Sequence, residues 1–179
     1  MALFAERGYD STTVAEIAQR AGLTERTFFR HFADKREVLF AGSGDLRAFL
    51  VGHVEQAPAA SAPIDVVVAA LVGAATDVFE ERRGFARRRQ AVIAANVELQ
   101  ERELIKLATL ATELAGALRR RGVDDPAASL AAEAGIAVFK VAFQRWVEDD
   151  GGRTLASFVQ QSADELKVTT GGRRPARRR

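Results

Sequence analysis

The chain has 179 residues, 47% hydrophobic and 28% charged, a composition that folds as a globule rather than staying disordered. It carries 26 Lys+Arg against 24 Asp+Glu, but five of those arginines sit in the last nine residues, GGRRPARRR; without them 21 basic face 24 acidic groups, a net of −3. There is no cysteine, which excludes a disulfide frame, a thiolate metal site and a cysteine nucleophile.

The start carries Glu6, Arg7 and Asp10 too early for a secretory signal. The longest apolar run noted, Val66 to Ala75, is half the length of a membrane span, so no membrane partner is expected. Two histidines, His31 and His53, form no metal-ligand set, and Gly42-Ser43-Gly44 lacks the rest of a nucleotide fingerprint. No serine or aspartate has a recognisable base beside it. No catalytic residue, cofactor or metal is expected.

In chain order, helical spacing and caps predict helices over 1–7, 14–21, 24–32, 35–56, 64–83, 85–95, 97–121, 126–150 and 154–168. No stretch alternates like a strand. The expected fold is all-α, with about nine helices. Thr13-Val14-Ala15-Glu16 fits a capping box, and Asp34-Lys35-Arg36-Glu37 has the same logic. Asn96 and Thr154 are expected to cap their helices, and Asp125-Pro126 reads as N-cap and first residue. Short helices first and long ones after suggest an N-terminal head on a larger helical body. The expected divisions are 1–41 for the head, 42–168 for the body and 169–179 for a basic, disordered tail.

The segment Glu16–Phe32 has the pattern of a helix-turn-helix. Ile17 and Ala21 share a face, Ala18 is small, Gly22 gives the turn, Leu23 plugs the corner and Thr24 caps the next helix. Phe28 and Phe32 make that helix's buried ridge. Arg26 and Arg30 lie roughly 200° from Phe28 around the axis and point outward. Glu25, Thr27, Phe29 and His31 complete the outer face, a set suited to a major groove. Thr13 and Thr24 start helices whose amides can meet phosphate, with Lys35 and Arg36 as further phosphate contacts. Spacing alone leaves two readings, a DNA-reading head or an ordinary helical corner. Residues 1–56 hold seven basic and eight acidic groups, so only the local cluster Arg26, Arg30, Lys35 and Arg36 favours DNA.

Leu3 to Phe40, LFAERGYDSTTVAEIAQRAGLTERTFFRHFADKREVLF, resembles the DNA-binding region of TetR-family transcriptional regulators. The likeness runs through Leu-Phe-x-x-x-Gly-Tyr, Thr-Thr-Val, Ile-Ala, Ala-Gly-Leu, Thr-Phe-Phe-x-His-Phe and the following Lys-x-x-Val-Leu, about a fifth of the chain. The resemblance implies that 24–32 reads a double-stranded DNA operator. It implies contacts from Thr13, Glu25, Arg26, Thr27, Phe29, His31 and Lys35; Thr24 and Arg30 join them from the spacing. Two features depart from the family pattern. Phe29 stands where a phosphate-bonding Tyr is usual, and the first helix begins about ten residues late.

The helix at 126–150 is apolar nearly all round, and 154–168 carries a cleaner stripe. Read from the residues, they are either core or one half of a two-fold interface. The resemblance implies a homodimer paired through both, with Val138, Val141, Leu155, Phe158, Val159, Ser162 and Leu166 as interface candidates. It also implies a small-molecule effector between the middle helices. Candidate lining residues are Leu71, Val78, Phe79, Phe85, Ile93, Leu104, Leu107, Phe139, Phe143 and Trp146, which suit a hydrophobic or aromatic ligand. Arg87, Arg88 and Arg89 either attract an anionic one or form a solvated face. The expected function is a cytoplasmic, sequence-specific regulator, a repressor released from a near-palindromic operator by its effector. Effector-promoted repression, activation, or an architectural DNA-binding role are the alternatives.

Overall fold

A computed structural model describes residues 1–171. Among these residues there are nine α-helices and no strand, the architecture the sequence predicts. They are α1 (Ala2–Arg7), α2 (Val14–Arg20), α3 (Glu25–His31), α4 (Ser43–Gln56), α5 (Pro63–Ala74), α6 (Arg83–Ala94), α7 (Val97–Arg120), α8 (Asp125–Glu148) and α9 (Leu155–Thr170).

Two expected helices are broken. The predicted 35–56 helix splits into a 3-10 segment, Lys35–Phe40, and α4, because Gly42 adopts a left-handed φ of 83° that ends one and starts the other. The predicted 64–83 helix leaves α-geometry after Ala74, passing through a π-helical turn, Ala75–Phe79, and a 3-10 turn, Glu80–Arg82. In contrast α9 runs to Thr170, so residues 169 and 170 are helical rather than the start of a disordered tail. The rest of that basic segment, from 172, lies outside the described residues.

Side-chain caps fix the starts of α2, α3, the 3-10 segment and α9. Thr13 Oγ1 accepts from Glu16 N at 3.2 Å while Thr13 N donates to Glu16 Oε2 at 2.8 Å, the reciprocal box. Asp34 Oδ1 accepts from Arg36 N and Glu37 N, and Thr154 Oγ1 from Ser157 N. Asn96 is the N-cap residue of α7, as expected, but its side chain makes no cap bond; its Nδ2 donates backward to Val92 O at 2.6 Å, at the end of α6. Asp124, not Asp125, is the N-cap of α8.

Two apolar clusters organise the chain. The larger unites α4, α5, α7, α8 and α9 around Leu50, Val67, Leu114, Leu118, Trp146 and Leu155. At the centre α8 packs on α5, α7 and α9. It is also, among the described residues, a helix long and apolar enough to cross a membrane by length and composition, which the search for apolar runs missed because its polar residues are spread out. The smaller cluster joins Phe4, Tyr9, Leu39 and Phe40 from the N-terminal end to Ile93 of α6 and Leu99 of α7. It seats α1 on the α6–α7 corner, with Ile17 of α2 packed against it.

Candidate nucleic-acid interface and effector site

The helix-turn-helix rests on α2 and α3. Ala18 is the buried contact of α2, and Phe28, 3% exposed, anchors α3 with its ring 5.2 Å from that of Phe32. One expectation about the corner fails: Leu23 is 45% exposed rather than a plug, and Ala21 beside it is exposed as well. The left-handed turn at Gly22, φ 69°, closes by a bond from Leu23 N to Ala18 O at 2.9 Å, leaving the Leu23 side chain outside.

The outer face of α3 is open. Glu25, Arg26, Phe29, Arg30 and His31 are all exposed, Phe29 at 54%. Arg30 Nη2 lies 3.4 Å from His31 Nε2. The Thr24 hydroxyl accepts from Thr27 N at 3.2 Å and lies 3.0 Å from the Thr27 hydroxyl, so half-buried Thr27 helps fix the start of α3. Thr13 is exposed and engaged in its capping box. The backbone amide and hydroxyl of Thr13, with Arg7 beside them, hold the Glu16 carboxyl below the usual carboxylate range.

Lys35 is placed differently from the phosphate contact expected. Its ammonium donates to the carbonyls of Tyr9 at 2.9 Å, Asp10 at 3.2 Å and Thr12 at 3.2 Å, and lies 4.3 Å over the Tyr9 ring. All three donors are spent closing the α1–α2 turn. Arg36 is likewise committed, with Nε donating to Asp34 Oδ2 at 2.9 Å.

Contacts that the sequence reading missed join this unit to the rest. Glu37 accepts from Arg102 Nε at 2.7 Å and Lys106 Nζ at 3.0 Å, both on α7. Burial raises the Glu37 carboxyl, and Lys106 and Arg102 outweigh it, so it sits below its ordinary value. Arg89 of α6 donates to Leu39 O at 2.7 Å and Glu103 at 2.9 Å, with its guanidinium 4.9 Å from the centre of the Phe40 ring. The Tyr9 hydroxyl is pushed up by burial and by the Glu98 carboxylate. Their charge types were visible in the sequence, but partners 65 residues apart carry no local signal.

The candidate effector residues converge only in part. Phe79, Phe139, Phe143 and Trp146 form one aromatic cluster, with Phe79 5.9 Å from Phe139 and from Phe143 and 6.4 Å from Trp146. The π-turn that ends at Phe79 precedes this contact, and such turns recur at functional sites. Leu71 is buried core and Leu107 packs partly against it. Val78 is half-buried. Ile93 belongs to the smaller cluster under the N-terminal helices, while Phe85 and Leu104 are exposed. Ile93, Phe85 and Leu104 are therefore corrected as pocket lining, one buried in the other cluster and two facing solvent. Helical periodicity shows that a residue is apolar, not which neighbour it meets.

The interface residues need a similar correction. Val138, Leu155, Phe158, Val159 and Ser162 are buried inside a single chain, and Leu166 packs partly on the same core. The stripe of α9 faces α5 and α8, so it has no surface left for a partner. Val141 alone of the set is exposed, at 47%, and Leu130, one face along α8, is 71% exposed. Val168 of α9 is exposed as well.

Comparison with known proteins places this architecture. The model described as bacterial regulatory proteins, tetR family, matches residues 1–41, and the one described as MftR C-terminal domain matches residues 61–170. The chain belongs to the TetR family. It is therefore a DNA-binding transcriptional regulator and not an enzyme. Among relatives of this TetR-family chain, the HTH-type transcriptional regulator TcmR of Streptomyces glaucescens is 37% identical over 65 residues, covering 36% of this chain and only 29% of TcmR. The candidate mycofactocin biosynthesis transcriptional regulator MftR of Mycobacterium tuberculosis is 28% identical over 152 residues, 83% of this chain and 76% of MftR. In fold the chain is similar to Thermus thermophilus FadR, a TetR-family repressor in complex with lauroyl-CoA. The match has a TM-score of 0.57 and 23% identity, over 100% of this chain and 94% of that one. A candidate TetR-family regulator from Mesorhizobium loti matches with a TM-score of 0.53 and 17% identity over 94% and 91% of the two chains.

Proposed function

We propose that this regulator is a cytoplasmic homodimeric repressor that reads a near-palindromic double-stranded operator and is released by a small hydrophobic or aromatic effector. Residues 1–41 are the reading unit and 42–168 the effector and dimer unit. The observation that carries the proposal is the α3 helix, anchored by buried Phe28 and open on its other side at Glu25, Arg26, Phe29, Arg30 and His31. Arg26 and Arg30 suit guanine edges and Phe29 a thymine methyl, which needs no hydroxyl. Thr13, Thr24 and Thr27 support this role as hydroxyl-bearing residues at helix starts beside that face.

The outward stripe of α8, with Leu130 and Val141 exposed, supports pairing with a second copy, helped by Val168 of α9. Two-fold pairing sets two reading helices about one DNA turn, roughly 34 Å, apart. The aromatic cluster of Phe79, Phe139, Phe143 and Trp146 supports an apolar effector, as does the lauroyl-CoA carried by FadR, which shares the fold. Effector and operator then oppose each other by linkage, each lowering affinity for the other by one common factor.

Selection of preferred sites from random duplexes tests the proposal. The expected product is a short inverted repeat with half-site centres one turn apart. Binding with no preference over random DNA at fixed salt defeats it.

A further inference from the structure

The α8 helix keeps one face out of the core. Gly135, Val138, Ala142 and Trp146 are buried, while Leu130, Glu133, Ala137, Lys140, Val141 and Gln144 are exposed along the other side, Leu130 at 71%. Two charges on this face, Glu133 and Lys140, have no ion pair among the described residues. Asp125 and Arg145 of the same helix are taken up within the chain, by Arg119 and Glu165. Glu133 and Lys140 are seven residues apart, close to two full turns, so the two opposite charges lie on one side of the helix. Their midpoint falls beside Ala137.

The same face runs into an open cleft of ≈ 460 Å³ between α6 and the end of α8. Ala91 and Ala94 of α6 and Val147 of α8 give it apolar lining, beside the amides of Gln90 and Gln144. Gln144 belongs both to the cleft and to the exposed face. Leu130 and Gln144 each lie seven residues from Ala137, on opposite sides of it. An exposed apolar knob and a partly apolar cleft therefore stand at equal distances from one point, with an acid and a base between them. Such a surface complements itself under a two-fold axis. Two antiparallel copies of α8 related at Ala137 bring each Glu133 beside the other copy's Lys140, and each Leu130 onto the other copy's Gln144.

We propose that the α6–α8 cleft is the seat of a second copy of this chain, whose α8 docks antiparallel with its Leu130 entering at Gln144, the two-fold axis at Ala137 and a Glu133–Lys140 pair on each side of that axis. The proposal rests on the homodimer reading and gives it a register. The opposite charges set that register, because sliding by one helical turn parts both pairs and carries Leu130 past the cleft. Seating Leu130 takes a large exposed apolar group out of water. α6 is also the helix that holds the N-terminal unit, through Arg89 donating to Leu39 O at 2.7 Å. Each copy thus bears on the helix that carries the other copy's reading unit, so the pairing fixes how far apart the two reading helices stand.

The chain has no cysteine, so single cysteines report pairing without background. In the full chain, Ala137→Cys is expected to form a covalent dimer on mild oxidation, because the axis brings its two copies within disulfide reach. Ala127→Cys, exposed on the same helix but ten residues from the axis, is expected not to, its copies standing roughly 30 Å apart. Glu133→Lys and Lys140→Glu each set like charges together and are expected to weaken dimerisation, read by sedimentation velocity, by about tenfold or more. The double variant restores both pairs and is expected to recover the wild-type dimer. Ala91→Trp fills the cleft and is expected to weaken the dimer to a similar degree. Circular dichroism melts confirm that the variants are folded, and should a charge variant not fold, the two cysteine variants decide. An Ala137→Cys that does not cross-link, an Ala127→Cys that does, a double variant no better than the singles, or an unaffected Ala91→Trp overturns the proposal. A wild type that is dimeric in the face of such a result loses this inference alone. One that sediments as a monomer, free and on its operator, loses the homodimer reading as well.

Discussion

Glu37 and Arg102 meet at 2.7 Å across 65 residues of sequence, joining the segment after the helix-turn-helix to the second turn of α7. With Lys106 on the same carboxylate, one acid holds the N-terminal unit at a fixed angle to the helical body. Opposed carboxylate and cations, largely screened from water, make this the joint whose loss reads out in both stability and DNA geometry.

Glu37→Gln is expected to cost about 1–3 kcal/mol, the range for a charged hydrogen bond left half-made. The Glu37 carboxyl is lowered in the folded chain, so its contribution is present above the unfolded carboxylate pKa and fades as pH falls through the lower folded value. Thermal melts from pH 7 down to pH 3 check this. The wild type is expected to lose stability through the acid range, and Glu37→Gln to lose less over the same range. Parallel curves for the two would contradict the assignment.

Lys35→Met separates a structural lysine from a DNA contact. Three carbonyls and a tyrosine ring hold the ammonium, so the variant is expected to lose about 1–3 kcal/mol of stability. Its operator binding, measured at a temperature where it remains folded, is expected to keep the salt slope of the wild type. A slope reduced by about one unit, with stability unchanged, would restore the phosphate role.

Arg26→Ala removes an exposed guanidinium with no hydrogen bond or ion pair among the described residues, so its melt is expected to match wild type. Operator affinity is expected to drop by ~1–3 kcal/mol with relaxed preference at one base position. Fluorescence anisotropy on the selected operator and its single-base variants measures both. Intact affinity and selectivity would remove Arg26 from the reading set.

Gly135 sits where α8 crosses α5, and a Cβ there would approach Val67 Cγ1 closer than atoms allow. Val67 is fully buried and stiff, so it has nowhere to turn. Gly135→Ala is expected to destabilise by roughly 1–3 kcal/mol despite the better helix propensity of alanine. Chemical denaturation checks the sign, and a more stable variant would mean that the two helices can separate freely.

Leu130→Glu with Val141→Glu tests the partner surface. Both side chains are exposed, so the fold is expected to survive while sedimentation shifts toward monomer and operator affinity falls. Phe158→Ala is expected to act otherwise, losing ~3–5 kcal/mol of stability as a buried ring. A double variant that stays dimeric would move the interface elsewhere.

The caps, the turn glycines and the 3.6-residue spacing are local instructions, and the sequence alone was enough to locate nine helices and a helix-turn-helix whose second helix has Phe28 inside and Arg26 and Arg30 outside. The neighbours of each helix are not local. Whether the stripe of α9 meets its own α8 or a second copy, whether Lys35 faces phosphate or three carbonyls, and where Ile93 is buried all depend on how helices far apart in the chain pack. Apolar residues carry no address, because burial rewards any dry contact equally. Only the assembled core, with α8 at its centre, decides which faces are left for DNA, a partner or a ligand.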